Sequence, residues 1–223
     1  MYRVLSQACI SIKPKWEKAK VRYELNGLLD RHVRIGVSGE EGSFSAKAAL
    51  GWAAENGMTD FQIVHLVEIE PVLAAIAVGG QIDLGVFPLF NNSVGLIEPA
   101  LDAIEKYNFC RIDKVPLLVE QCLLARKGVT VEQILTITSQ GPAIEQCQRR
   151  LHRHWRHVDI DLYSDTAKAA HDLANGILPA TTAVIASRDA ARIYGLNVLE
   201  KPFQDDAENM TAFLVVKQRI DAM

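Results

Sequence analysis

The 223-residue chain is poor in several features that would each have named a function class. Its four cysteines (Cys9, Cys110, Cys122 and Cys147) lie far apart, with no CxxC or CxH spacing. That pattern argues against a disulfide framework and against a zinc site, and it reads most economically as reduced, buried thiols in a cytoplasmic protein. No apolar run approaches the roughly 20 residues that cross a bilayer. The opening segment MYRVLSQACISIKPKWEK lacks the continuous apolar region and cleavage site of a signal peptide. Neither charge sign dominates: 24 basic and 27 acidic residues give a formal net charge of −3, without the basic surplus that nucleic acid demands. The expected partner is a small molecule, not nucleic acid or membrane. GEEGSF (39–44) lacks the lysine of a phosphate loop and is not GxGxxG, and neither GxSxG nor HExxH occurs.

What is present is an ordinary globular balance, 49% hydrophobic and 23% charged, in a chain long enough for one large domain or two lobes. From residue 33 onward, short β-branched runs alternate with helix-like stretches. VRIGV (33–37) precedes the alanine-rich FSAKAALGWAAENG, FQIVHLV (61–67) precedes IEPVLAAIAVGG, and IDLGVFPLF (82–90) leads through a polar turn into GLIEPALDAIEKY. The second half repeats the scheme and closes on AFLVV (212–216). Such alternation predicts an α/β protein with helices packed on mixed, largely parallel sheets. Residues 1–32 stand apart as an N-terminal extension, in which PKWEKAKVRYELNGLL predicts an amphipathic helix against the body or a partner.

In α/β sheets, ligands bind where strand ends lead into helix N-termini. Here those junctions are rich in small and hydroxyl- or amide-bearing residues: Ser38–Ser45, Asn91–Gly95, Thr138–Gly141 and Ser164–Ala167. Each reads as a plain helix cap. Four together also fit a cleft for a small carboxylate, because free N–H groups at helix starts favour anions. The strip Arg149–His157 reads as a basic helix end or as an anion or metal site, although its four arginines oppose a cation.

Taken in order, these blocks resemble the catalytic domain of prephenate dehydratase from about Arg34 to Val216. Gly39–Ser45 stands where that family has GPEGTFS, Pro88–Gly95 where it has PIENSIEG, and Ser139–Cys147 where it has SHPQALxQC. Asp165–Ala170 matches STAxAA, and AVIASRDAARIYGLNVLEKPFQDDAENMTAF (183–213) follows the family's closing pattern almost residue by residue.

The resemblance implies two α/β lobes like those of periplasmic binding proteins, with the active site in the cleft between them. Residues 33–113 and 186–216 would form one lobe and 114–185 the other, with no regulatory ACT domain. The implied reaction converts prephenate to phenylpyruvate, water and CO2 in phenylalanine biosynthesis, with no metal or organic cofactor, in a homodimer or homotetramer. Thr211, at the threonine of the family's TRF, is the implied catalytic residue. Ser43, Phe44, Ser45, Asn91, Asn92, Ser139, Gln140, Thr166, Ala167, Asn209 and Phe213 are the implied substrate contacts. The chain departs from the family at Phe90 and Asn92 (glutamate and serine), Gln140, Gly141 and Pro142, Asp165 (serine), and Ala212 (arginine). The lost arginine removes a bidentate partner for a carboxylate, which one of the arginines at 149–156 would have to replace. Three activities fit: dehydration of prephenate or of its analogue arogenate, decarboxylation without aromatisation, or carboxylate sensing without catalysis.

Overall fold

A computed structural model describes residues 15–219, so the first 14 residues of the N-terminal extension, Cys9 among them, lie outside the described residues. Helix α1 (Lys15–Glu24) packs on the body: Val21 and the following Leu25 are buried, and Lys217 binds Glu24 by an ion pair of 2.8 Å.

The remaining residues form two three-layer α/β lobes. The first contains β1 (Val33–Val37), α2 (Phe44–Glu55), β2 (Phe61–His65), α3 (Ile69–Val78), β3 (Leu84–Asn91), β4 (Gly95–Leu96), α4 (Glu98–Lys106) and β5 (Phe109–Leu118). The second contains β6 (Gln121–Ala125), β7 (Thr136–Ser139), α5 (Gly141–Gln146), α6 (Gln148–His154), β8 (Asp159–Leu162), α7 (Thr166–Ala174), β9 (Thr182–Ser187), α8 (Arg188–Tyr194) and β10 (Asn197–Glu200). The chain then returns to the first lobe as β11 (Met210–Gln218). Strand order is β2-β1-β3-β11-β5 in one sheet, with β4 beside β3, and β10-β6-β9-β7-β8 in the other. Both sheets are mixed: β2-β1-β3 and β9-β7-β8 run parallel, while β11 and β6 pair antiparallel with their neighbours.

This topology moves the lobe boundaries from those expected. Strand β5 extends the first lobe to residue 118, and β9, α8 and β10 carry residues 186–200 into the second, because β9 hydrogen-bonds both β6 and β7. The two crossings run side by side, with Val119 N–H donating to the Asn209 carbonyl at 2.7 Å. The helical stretch after β7 divides at Cys147 into α5 and α6, and the basic residues His152, Arg153 and His154 occupy the last turn of α6.

Period-2 alternation sends neighbouring side chains to opposite faces of a strand. On β11, Phe213 and Val215 join Ile35, Val37, Trp52 and Val86 on one face, while Leu214 and Val216 join Val72, Ile76 and Phe87 on the other. In the second sheet, Leu123 and Ile185 pack under α5 and α6, and Leu124 and Val184 under α7 and α8. Each sheet is therefore buried on both faces, which leaves the loops at the strand ends for ligand chemistry. The lobes touch at Gly42 (φ 84°), where a Cβ would come within 2.8 Å of Ala190 Cα. Across the same contact Ser187 Oγ donates to the Gly42 carbonyl at 2.5 Å and Tyr194 Oη to the Glu41 carbonyl at 2.8 Å.

Candidate active site

Between the lobes lies a cleft of about 720 Å³. Its walls are the first turns of α2, α3, α4, α5 and α7 with the loops before them, and its floor is formed where β3, β11 and the crossing strands meet. The exposed N–H groups of a helix start carry partial positive charge, so the longer helices α2, α3, α4 and α7 turn that end toward the cleft. Val67, the one described non-glycine residue with positive φ (60°), lines the cleft and accepts from Gly39 N–H at 2.7 Å. Such strain persists only where surrounding structure holds it, commonly at functional sites.

Register places the central pair. Thr211, the second residue of β11, lies directly opposite Asn91, the last residue of β3. Asn91 Nδ2 donates to Thr211 Oγ1 at 2.9 Å and to Asn209 Oδ1 at 2.7 Å, while Asn91 Oδ1 accepts from Ser93 and Val94 N–H. Thr211 is 6% exposed and lines the cleft. Because its oxygen already accepts from Asn91, its own proton is left for a group in the cleft.

The amide chain continues into the second lobe. Asn209 Nδ2 donates to the Val119 carbonyl at 3.2 Å and to Gln146 Oε1 at 2.8 Å, and Gln121 Nε2 donates to the same Gln146 oxygen at 3.0 Å. Sequence reading did not find Gln121 or Gln146; their only signal was a polar residue flanking the second sheet's first strand and first helix.

The implied contact residues divide. Ser43, Phe44, Ser45, Asn91, Gln140, Thr166, Thr211 and Phe213 line the cleft. Ser43 caps α2 by accepting from Ala46 N–H, and Ser45 Oγ shares a hydrogen bond of 2.9 Å with Ser38 Oγ. Asn209 sits fully buried beneath the floor, acting through Asn91. Three residues take other places. Asn92 is exposed and staples the turn after β3 to Glu208 and Met210; Ser139 is spent on the Ile185 carbonyl at 2.6 Å; Ala167 is buried under the first turn of α7. Strand alternation at Ser139, the helix face at Ala167 and the turn at Asn92 take these side chains away from the cleft lining.

Electrostatics set this cleft apart. Among the described residues six carboxylates line it, from Glu68, Glu70, Glu98, Asp102, Glu145 and Asp165, against one cation, Lys106, which is paired with Glu70 at 2.9 Å. The arginines of α6 do not line it: Arg149 binds Asp205, Arg150 binds Glu200, and the following Arg156 binds back to His152. Asp165 is 7% exposed; burial pushes its carboxyl above the usual range, against hydrogen bonds from Lys168 N–H and from Glu40 N–H of the other lobe. Behind α7, burial pushes Asp172 up, but hydrogen bonds from Lys168, Tyr163 and His171 outweigh it and bring the carboxyl down to about 2. Among the described residues no group of three or more His, Cys, Asp or Glu is placed to hold a metal ion.

The arrangement has known counterparts. The sequence is 33% identical over 184 residues to arogenate dehydratase/prephenate dehydratase 2, chloroplastic, of Arabidopsis thaliana, covering 82% of this chain and 46% of that protein. The solved prephenate dehydratase of Arthrobacter aurescens in complex with L-Phe superposes with a TM-score of 0.72 at 26% identity, covering 84% of this chain and 61% of that one. A putative methionine-binding lipoprotein of Bacillus subtilis shares the fold at a TM-score of 0.50 and 12% identity, over 84% of both chains. The chain spans about half the length of the curated relatives it matches. The family model described as prephenate dehydratase matches residues 35–221, a span that holds both lobes and the whole cleft with Thr211 in it. With fold, cleft and sequence in agreement, the chain belongs to the prephenate dehydratase family.

Proposed function

We propose that the cleft converts prephenate, or its 2-amino analogue arogenate, into the aromatic acid with loss of CO2 and water, as a step of phenylalanine biosynthesis. The observation that carries this reading is the hydroxyl of Thr211, whose oxygen accepts from Asn91 Nδ2 at 2.9 Å and whose proton is free. In the reaction the ring carboxylate leaves as CO2, and its bonding electrons form the ring double bond that expels the hydroxyl on the far side of the ring. Thr211 donates its proton to that oxygen, water departs, and solvent returns a proton to the threonine. Aromatisation drives the step, so the protein has to hold two carboxylates and help one leaving group. The helix starts and amides of the cleft serve the first task and Thr211 the second; positioned proton donation of this kind contributes typically about 10²–10⁴-fold.

The reading extends to a cytoplasmic homodimer or homotetramer. Free Cys110, Cys122 and Cys147 support a reducing compartment, and Trp16 and Tyr23, exposed on α1, offer an apolar surface to a second copy.

The test incubates the purified protein with prephenate at neutral pH and identifies products by NMR beside an enzyme-free control. Phenylpyruvate well above that control is expected, with Thr211→Val slowing its formation about 10²–10⁴-fold. A non-aromatic product would replace dehydration by simple decarboxylation, and unchanged but bound prephenate would leave a sensor.

A further inference from the structure

One buried polar atom of a cleft-lining residue has no use in the scheme above. Gln121 is 3% exposed and lines the cleft, and its Oε1 is buried without a hydrogen-bond partner among the described residues. Its orientation is determined, because the amides of the floor are ordered from backbone groups. The N–H groups of Ser93 and Val94 identify Asn91 Oδ1, so Asn91 Nδ2 faces Asn209 Oδ1. Asn209 Nδ2 then meets the Val119 carbonyl and Gln146 Oε1, and Gln121 must turn Nε2 to that same oxygen. A flipped Gln121 would set two acceptors against each other. Its carbonyl oxygen is thus held as an acceptor awaiting a donor, a state that costs free energy until it is filled.

The charges around this acceptor point to the kind of donor. Among the described residues the cleft sets six carboxylates against one cation, Lys106, itself paired with Glu70. A 2-oxo dicarboxylate brings two negative charges and, at its C2 carbonyl, one more acceptor. The 2-amino form brings the same carboxylates with an ammonium, which has up to three donors and no acceptor.

We propose that Gln121 Oε1 and the acidic wall form a receptor for a protonated amine, so that this chain selects arogenate over prephenate. The proposal rests on the cleft turning over this class of dicarboxylate. A site holding an unfilled buried acceptor rejects a ligand that lacks the matching donor far more strongly than one of the wrong size.

The test gives the protein L-arogenate and prephenate in parallel, reading phenylalanine and phenylpyruvate as products. In addition, calorimetry on Thr211→Val, whose turnover is slowed about 10²–10⁴-fold, measures both dissociation constants. The expected preference for arogenate is on the order of tenfold or more, the worth of a hydrogen bond to a charged donor. Gln121→Met keeps side-chain length and removes the acceptor together with the Nε2 bond to Gln146 Oε1; on top of any loss common to both substrates, it should shrink the ratio at least about fivefold. A merely structural role would lower both substrates together and leave the ratio unchanged. Should Gln121→Met not fold, the double variant Glu98→Gln/Glu145→Gln, confined to exposed side chains, is expected to reduce the ratio by a fewfold. A ratio at or below one, or one that neither variant moves, overturns the amine receptor while leaving dehydration intact. Binding with the expected ratio but no aromatic product overturns the reaction and leaves the receptor standing; no binding of either compound overturns both.

Discussion

Replacing Asn91 by Asp tests the direction of one hydrogen bond. Asn91 Nδ2 now donates to Thr211 Oγ1 at 2.9 Å and to Asn209 Oδ1 at 2.7 Å, and Asn91 Oδ1 receives two backbone N–H groups. A carboxylate keeps the two backbone bonds but presents an acceptor where the amide had donors. Thr211 must then turn its proton onto the new oxygen, and the leaving hydroxyl loses its donor. The loss expected is that of positioned proton donation, about 10²–10⁴-fold in kcat, or about 3–5 kcal/mol of barrier. Facing Asn209 Oδ1 without a proton should also cost about 1–3 kcal/mol of stability, so folding is checked by urea denaturation. Two further readouts isolate the mechanism. The introduced carboxyl is buried against acceptors, so its pKa is raised, and activity should recover as pH falls and the protonated form donates to Thr211 again; enzyme-free controls at each pH are essential. The double variant Asn91→Asp/Thr211→Val should be no slower than Thr211→Val alone, because both act through one proton. Independent, multiplicative losses, or no recovery in acid, would refute the role given to Asn91.

Gly42→Ala should lower stability by about 1–3 kcal/mol and weaken substrate binding, since the new Cβ would meet Ala190 Cα at 2.8 Å in a left-handed backbone; urea denaturation and calorimetry read the two effects. Asp172→Asn removes a carboxyl held down to about 2 from the ordinary 3.8. A depressed carboxyl stabilises above its unfolded pKa and loses that contribution as pH falls through the folded value. The variant should therefore lose about 1–2 kcal/mol at neutral pH, after allowing for half-exposed Lys168 and His171, and match the parent near pH 2 in chemical denaturation. Asp165 shifts the other way: its raised carboxyl opposes folding once it ionises, and asparagine keeps the cap on Lys168 N–H. Asp165→Asn should raise the melting temperature at pH 7 and leave it unchanged near pH 3.

Much of the fold was legible in the sequence because α/β patterning is local. The run VRIGV, the alanine-rich stretch after Ser43 and the closing AFLVV each show their period within a dozen residues, and Ser43, Asp165 and Ser187 cap the helices they precede. Thr211 was legible through the resemblance; by itself it reads as a β-branched residue opening a strand. Asn92, Ser139 and Ala167 belong to matching blocks yet turn from the cleft, because a block specifies neighbours along the chain and not the face each side chain takes. Composition shows nearly balanced charge, whereas the cleft is acidic: the cations of α6 satisfy Asp205 and Glu200 elsewhere.

By itself, then, the sequence determined the α/β class, most helix starts and the family, all of which depend on short-range periodicity, capping and ordered blocks. Only the tertiary structure decided the lobe boundaries, the pairing of Asn91 with Thr211 across 120 positions, and the amide chain that leaves Gln121 Oε1 open. Those features arise where β3, β11 and the two crossing strands converge, and strand register between distant segments is settled by packing of the whole sheet.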